Sequence, residues 1–199
     1  MLFENVTIDL ETLDTATTAK ILSIGIVPWN WGEQTSFQEL CEREASLYLK
    51  IDISTYLDGF TESLSTVNWW SKQGDLARHV LEPDPELDID FEEALHRVNQ
   101  HLAKYVQPLQ KDGGQIFCRG YDFDGGILEH HFDQCIITTP WDYNRFRCIR
   151  TVIDTLARTR NGYVREHNPK GFVKHHALHD AAKDTLTMLS LDQGGLSQR

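Results

Sequence analysis

The stretch Asn5-Val6-Thr7-Ile8-Asp9-Leu10-Glu11 is the one from which the fold can be read. Val6, Ile8 and Leu10 alternate with Thr7, Asp9 and Glu11. A period of two marks a strand with one apolar and one polar face, so Asp9 and Glu11 point the same way, opposite the core side. Two carboxylates held that close repel each other unless a cation lies between them. Taken alone, an Asp-x-Glu pair reads more readily as a solvent-facing strand edge.

Outward from this strand, Ile21 to Val27 predicts a second strand that stops at Pro28. Ser46 to Ile53 alternates through Leu47, Leu49 and Ile51 and predicts a third. Three strands with short connections predict an antiparallel meander. Ser65 to Leu81 predicts a helix carrying Trp69 and Trp70, and Glu82 to Asp90, with two prolines and five acids, a solvated loop. Asp90 and Glu93 have capping-box spacing ahead of an apolar stripe at Ala94, Leu95, Val98, Leu102 and Val106. A strand over Gln115 to Gly120 follows, then helices over Phe123 to Phe132, Phe146 to Ala157 and Ala177 to Leu191. Strands first, then helices alternating with strands, predict an α/β domain with a mixed sheet over residues 1–192, and residues 193–199 as a loose tail.

The chain of 199 residues carries a net charge of −11, which argues against a protein that coats nucleic acid through a basic surface. Carboxylate-rich chains can still reach a polyanion through bound cations. No apolar run approaches the roughly 20 residues of a membrane span, and the N-terminus has no signal-peptide pattern. Cys41, Cys118, Cys135 and Cys148 form no CxxC pair, which suits a reducing, cytoplasmic setting.

Two further groups could carry chemistry. Asp124 sits where a strand gives way to a helix, with Asp122 close by. Asp122, Asp124 and Asp133 hold the first, third and twelfth places of a calcium loop, but Ile127 stands where that loop needs glycine. His175 and Asp180 are five residues apart, and so are His179 and Asp184. A neutral imidazole here could take a proton from water. His175 and His179 also have the i, i+4 spacing of a zinc pair, without the glutamate of the HExxH motif. Ala177 and Ala181 favour the first register, because small residues let a helix approach a sheet. His130 and His131 read as helix-surface groups.

In this order the motifs resemble the DEDDh 3′–5′ exonucleases of the ribonuclease-H-like fold, closest to the branch of ribonuclease-T-like exoribonucleases and phage exonuclease A proteins. Ile8-Asp9-Leu10-Glu11-Thr12 is similar to the first family motif, Phe123-Asp124 with Ile127-Leu128 to the second, and His175-x-Ala177-Leu178-x-Asp180-Ala181 to the third. Trp69-Trp70 with Gln73, and Arg147-x-x-Arg150-Thr151, also look like segments of this branch, while Arg119-Gly120 stands where the branch commonly has Asn-Gly. The resemblance implies two divalent ions, Mg²⁺ or Mn²⁺, held by Asp9, Glu11, Asp124 and Asp180, with His175 deprotonating the attacking water. It implies release of nucleoside monophosphates from the free 3′ end of single-stranded DNA or RNA. Leu10, Thr12, Trp69, Trp70, Gln73, Arg147 and Arg150 are the substrate contacts it suggests, and dimers are common among such proteins. The alternatives are a zinc hydrolase using His175 and His179, and a non-catalytic nucleic-acid-binding module.

Overall fold

A computed structural model describes residues 2–195. Strand β1 (Asn5–Thr12) lies at the centre of a mixed sheet. Strand β2 (Ile21–Trp29) pairs antiparallel with it, and β3 (Leu47–Ile51) pairs antiparallel with β2. These form the expected meander. Strands β4 (Asp88–Ile89), β5 (Gln115–Cys118) and β6 (Phe146–Cys148) add in parallel, giving the order β4-β3-β2-β1-β5-β6 among the described residues. The helices are α1 (Phe37–Glu42), α2 (Leu64–Trp70), α3 (Asp75–Arg78), α4 (Phe91–Tyr105), α5 (Gly126–Gln134), α6 (Ile149–Ala157) and α7 (Ala177–Asp192).

The two faces of β1 are those the alternation implies. Val6, Ile8 and Leu10 pack with Ala94, Leu95 and Val98 of α4 and with Ile127, Leu128 and Phe132 of α5. Thr7 faces α7, where its hydroxyl meets that of Thr185 at 2.7 Å. Asp9 and Glu11 alternate with those apolar residues and share Thr7's face. Asp9 is paired across the ladder with Gly25, and a Cβ on Gly25 would lie 2.2 Å from the carbonyl carbon of Ala177. Glycine is required there, because the start of α7 rests directly on the strand. Ala177 and Ala181 are fully buried at this contact, as their size suggested.

Several boundaries differ from expectation. Strand β2 runs through Pro28 to Trp29. Pro28 offers its carbonyl to Arg43 on the side away from β1, and the pairing with β3 has ended at Ile26, so no ladder partner needs the missing N–H. The helix expected over 65–81 ends at Trp70, and Gly74, with an extended backbone (ψ 157°), starts α3 anew. The acidic loop contains β4, anchored by an ion pair between the buried Lys50 of β3 and Asp88. Residues Phe146–Cys148, expected in the helix, form β6 alongside Ile116–Cys118. Asp90 caps α4 through the N–H groups of Glu92 and Glu93, but Glu93 pairs with Arg97, so only half of the capping box forms. Helix α1 was not anticipated, although Ser36 and Glu39 make a complete capping box before it. His131 is buried, with Nδ1 2.8 Å from the Ile127 carbonyl, rather than on the surface. Gln193 to Gly195 follow α7 as a hydrogen-bonded turn; the rest of the expected tail, residues 196–199, lies outside the described residues.

Candidate active site

A cleft of about 810 Å³ opens over the polar face of β1. Asp9, Glu11, Asp124, His175 and Asp180 all line it. Asp124 is only 3% exposed and lies in a single π-helical turn, Tyr121–Gly125, ahead of α5. Its Oδ1 accepts the Leu10 backbone N–H at 3.3 Å, which ties the second motif to the first. Asp122 is exposed, which separates the two candidates, and Asp133 belongs to α5, so no calcium loop forms.

Asp180 stands in the first turn of α7, and its Oδ2 accepts the His175 N–H at 2.7 Å. His175 precedes the helix with φ +62°, a left-handed backbone. Its Nδ1 lies 3.9 Å from Glu11 Oε1, and Trp69 meets the ring edge-on at 4.6 Å. His179 points elsewhere: its Nδ1 takes the Val173 N–H, and its ring packs on Phe37 and Phe172. His175 and Asp180 thus stand together in the cleft, and His179 does not line it. The zinc pair fails because His175 is not on the helix with His179, and the compact ligand group among the described residues is Glu11, His175 and Asp180.

The electrostatics of the cluster are those of crowded acids. Burial, then the charges of Asp124, Glu11 and Asp180, hold the Asp9 carboxyl well above the usual range, and burial with Asp180 and Asp124 does the same to Glu11. Burial raises Asp124 to about 7 and Asp180 to about 6. Burial and the neighbouring Lys174 push His175 down to about 4, so at neutral pH its ring is an unprotonated base. Carboxylate oxygens that converge in greater number than the cations beside them fit hard divalent ions such as Mg²⁺ or Mn²⁺ and suit zinc less.

A fifth carboxylate is the one that the alternative register pairs with His179. Asp184, one turn past Asp180, is buried at the same cleft, but Arg119 binds it through two hydrogen bonds of 2.7 Å. Their separation of 65 residues leaves no local signal, although the departure at Arg119-Gly120 marked the place.

The expected substrate contacts divide. Trp69 is 41% exposed in the cleft, whereas Trp70 is 1% exposed, its indole donating to the Thr12 carbonyl at 2.8 Å. Trp70 thus packs beneath the strand and offers no stacking face. Thr12 and Arg150 line the cleft, and Leu10 reaches it from the core side of β1. Gln73 and Arg147 do not: Gln73 donates to the Trp69 carbonyl, and Arg147 folds onto the carbonyls of Asn144 and Phe146.

The family model described as the 3′–5′ exoribonuclease Rv2179c-like domain matches residues 4–190. The chain belongs to this Rv2179c-like 3′–5′ exoribonuclease family. An exodeoxyribonuclease of Enterobacteria phage T4 is 26% identical over 201 residues, covering 91% of this chain and 86% of that one. Among solved structures, cell-death related nuclease 4 (CRN-4) matches with a TM-score of 0.62 at 13% identity, over 98% of this chain and 66% of that one. The nuclease domain of 3′hExo, a DEDDh family member bound to rAMP, matches with a TM-score of 0.57 at 14% identity, over 99% of this chain and 96% of that one. At such identities the structures speak for the ribonuclease-H-like fold. Family and fold together make the chain a 3′–5′ exonuclease of ribonuclease-H-like fold. No helix of the described residues is long and apolar enough to cross a membrane.

The crowded acids of this exonuclease make its metal-free stability fall with rising pH. A carboxylate whose folded value is raised stabilises fully below the unfolded value near ~4 and loses that contribution as pH rises through the folded value. The buried His131, His175 and His176, each lowered to about 4, act oppositely, but only below their unfolded value near ~6.5. From about pH 6.5 to 8, Asp124, raised to about 7, therefore sets the slope, and the upward shifts of Asp9 and Glu11 act in the same direction. Thermal melting in chelator should show a falling Tm over that window, flattened by Mg²⁺. A Tm that rose would show that the carboxylates are already ionised and internally compensated.

Proposed function

We propose that this exonuclease removes nucleoside 5′-monophosphates one at a time from the 3′ end of single-stranded DNA or RNA, with Asp9, Glu11, Asp124 and Asp180 holding two divalent ions, Mg²⁺ or Mn²⁺. The observation that carries this is the placement of four crowded carboxylates and an unprotonated His175 in one open cleft. Bound there, the ions supply positive charge against the phosphodiester oxygens and make water more acidic. His175 accepts the proton of the attacking water. The water oxygen bonds to phosphorus, the bond to the upstream 3′ oxygen breaks, and that oxygen takes a proton from solvent, which leaves the shortened strand with a 3′-hydroxyl. Asp180 holds the His175 backbone, and the Leu10 N–H holds Asp124, so base and carboxylates share one rigid frame.

The cleft has a polarity that orients the strand. Trp70 meets β1 at Thr12, His175 at Glu11, and Thr185 of α7 at Thr7, so the cleft runs along β1 from Thr12 back past Asp9. Asp14, Thr15, Ser65, Thr66 and Trp69 line the cleft beside Thr12, and Lys174 stands next to His175 between the two ends. The far end holds Arg119, Arg150 and Lys183. A terminal nucleoside carries no phosphate beyond the scissile one, while the upstream strand carries one per nucleotide. The terminal nucleoside therefore fits the Thr12–Trp69 end, and the upstream strand the cationic end. Residues 1–192 act as one exonuclease domain in this scheme. The free cysteines and the phage relative favour a cytoplasmic setting.

The test is 5′-labelled DNA and RNA of one sequence, incubated with Mg²⁺ or Mn²⁺ and resolved as a ladder. Stepwise loss from the 3′ end is expected, stopped by EDTA and restored by Mg²⁺ or Mn²⁺ but not by Zn²⁺. Internal cleavage, or restoration by zinc alone, would overturn it. The relative rates identify the preferred sugar.

A further inference from the structure

Tyr163 lies in the segment that follows α6, and this segment is held firmly. Asp154 Oδ1 accepts the Thr159 hydroxyl at 2.6 Å and the Gly162 N–H at 2.8 Å. Gly162 has φ +71°, and a Cβ there would meet Arg150 at 2.4 Å, so the segment lies against α6. Arg119 reaches it from β5: while its Nε and Nη2 grip Asp184, its Nη1 donates to the Gly162 carbonyl at 3.2 Å. The guanidinium then sits over the Tyr163 ring, 4.4 Å from its centroid. Tyr163 is nevertheless 52% exposed and lines the cleft at its cationic end. One face of the ring is backed by a half-buried, ion-paired cation, and the rest of it opens to the path of the upstream strand.

We propose that Tyr163 is a stacking platform for the base immediately upstream of the scissile phosphate, and that Arg119 is the positioning residue that holds it there. This rests on the exonuclease function and strand orientation proposed above. An aromatic ring fixed in place beforehand loses little freedom when a base settles on it, and every base has a face to offer, so the grip is indifferent to sequence. Arg119 also keeps Asp184 from adding a fifth uncompensated charge beside Asp9, which places the grip on the strand and the charge balance of the cluster under one side chain.

The test is a double-mutant cycle on single-stranded DNA and RNA oligonucleotides carrying either a normal or a base-free penultimate nucleotide. Removing that base should lower kcat/KM of the wild type about 5- to 150-fold. Tyr163→Ala should lower kcat/KM on the normal oligonucleotide by a similar factor, and on the base-free one scarcely further than base removal alone. Tyr163→Phe should restore most of the loss. A 2-aminopurine at the penultimate position, with Ca²⁺ in place of the working ion, should be quenched by wild type and Tyr163→Phe and not by Tyr163→Ala. Independent, multiplying effects of base removal and Tyr163→Ala would overturn the platform, as would an unchanged rate in Tyr163→Ala. If the wild type shortens neither DNA nor RNA, the exonuclease function falls and the platform with it. Tyr143→Ala, at an exposed tyrosine away from the cleft, serves as the unchanged control.

Discussion

Asp124→Asn should abolish strand shortening while leaving the fold intact or more stable. Asparagine has the same shape and keeps an oxygen for the Leu10 N–H, so the link between the π-helical turn and β1 survives. What it loses is a charge raised in pKa to about 7 by burial among other acids. Metal-ion stabilisation of a phosphoryl transition state is worth several kcal/mol, so a ligand lost from the cluster should reduce kcat by about 10³-fold or more. The same change removes a buried, repelled charge, so above pH 7 in chelator the variant should melt higher than the parent. The checks are the 5′-labelled ladder and parallel melts. Full activity in folded Asp124→Asn would defeat the four-carboxylate site. Loss of activity with a collapsed Tm would assign Asp124 to the fold instead. The opposing changes in rate and Tm are the signature of a site kept functional at a cost in stability.

His175→Ala should lower kcat by about 10²- to 10⁴-fold, the usual worth of a positioned general base. Oligonucleotide affinity measured in Ca²⁺ should change little, since the carboxylates and the cationic end of the cleft are untouched. The His175 N–H to Asp180 bond is a backbone contact and persists in the variant. His179→Ala makes the sharper comparison. Its ring packs between Phe37 and Phe172, so its loss should lower Tm and leave turnover near the wild-type value. An inactive His179→Ala beside a normal His175→Ala would shift the catalytic pair by one helical turn and overturn the assignment.

How far the site was legible can be followed residue by residue. Asp9 and Glu11 were placed correctly because strand alternation is a local rule that needs only the neighbouring side chains. Asp124 was separated from Asp122, and His175 from His179, by motif resemblance, and burial and hydrogen bonding agree in each case. The two tryptophans were adjacent in sequence and indistinguishable until α2 was docked, when one turned into the core and the other into the cleft. Arg147 and Gln73 looked like substrate contacts but are taken up by carbonyls near them in the chain. Strands β4 and β6, two and three residues long, carry no periodicity of their own. Each is a strand only because β3 or β5 runs beside it. Helix α1, by contrast, carries a complete capping box, Ser36 and Glu39, in its own sequence.

By itself, then, the sequence determined what local rules can carry: the two faces of β1, the caps of α1 and α4, the stripe of α4, and the small residues that let α7 rest on Gly25. Only the tertiary structure decided which acids remain crowded and which is neutralised. Asp184 and Asp180 are a turn apart on one helix, yet Arg119 reaches only Asp184. It likewise decided that Tyr163 faces the cleft with a guanidinium at its back. The physical reason is range. Periodicity and capping act over a few residues, whereas desolvation and charge pairing are summed over whatever the folded chain brings together, and for Asp9 and Asp124 the partners lie more than a hundred residues apart.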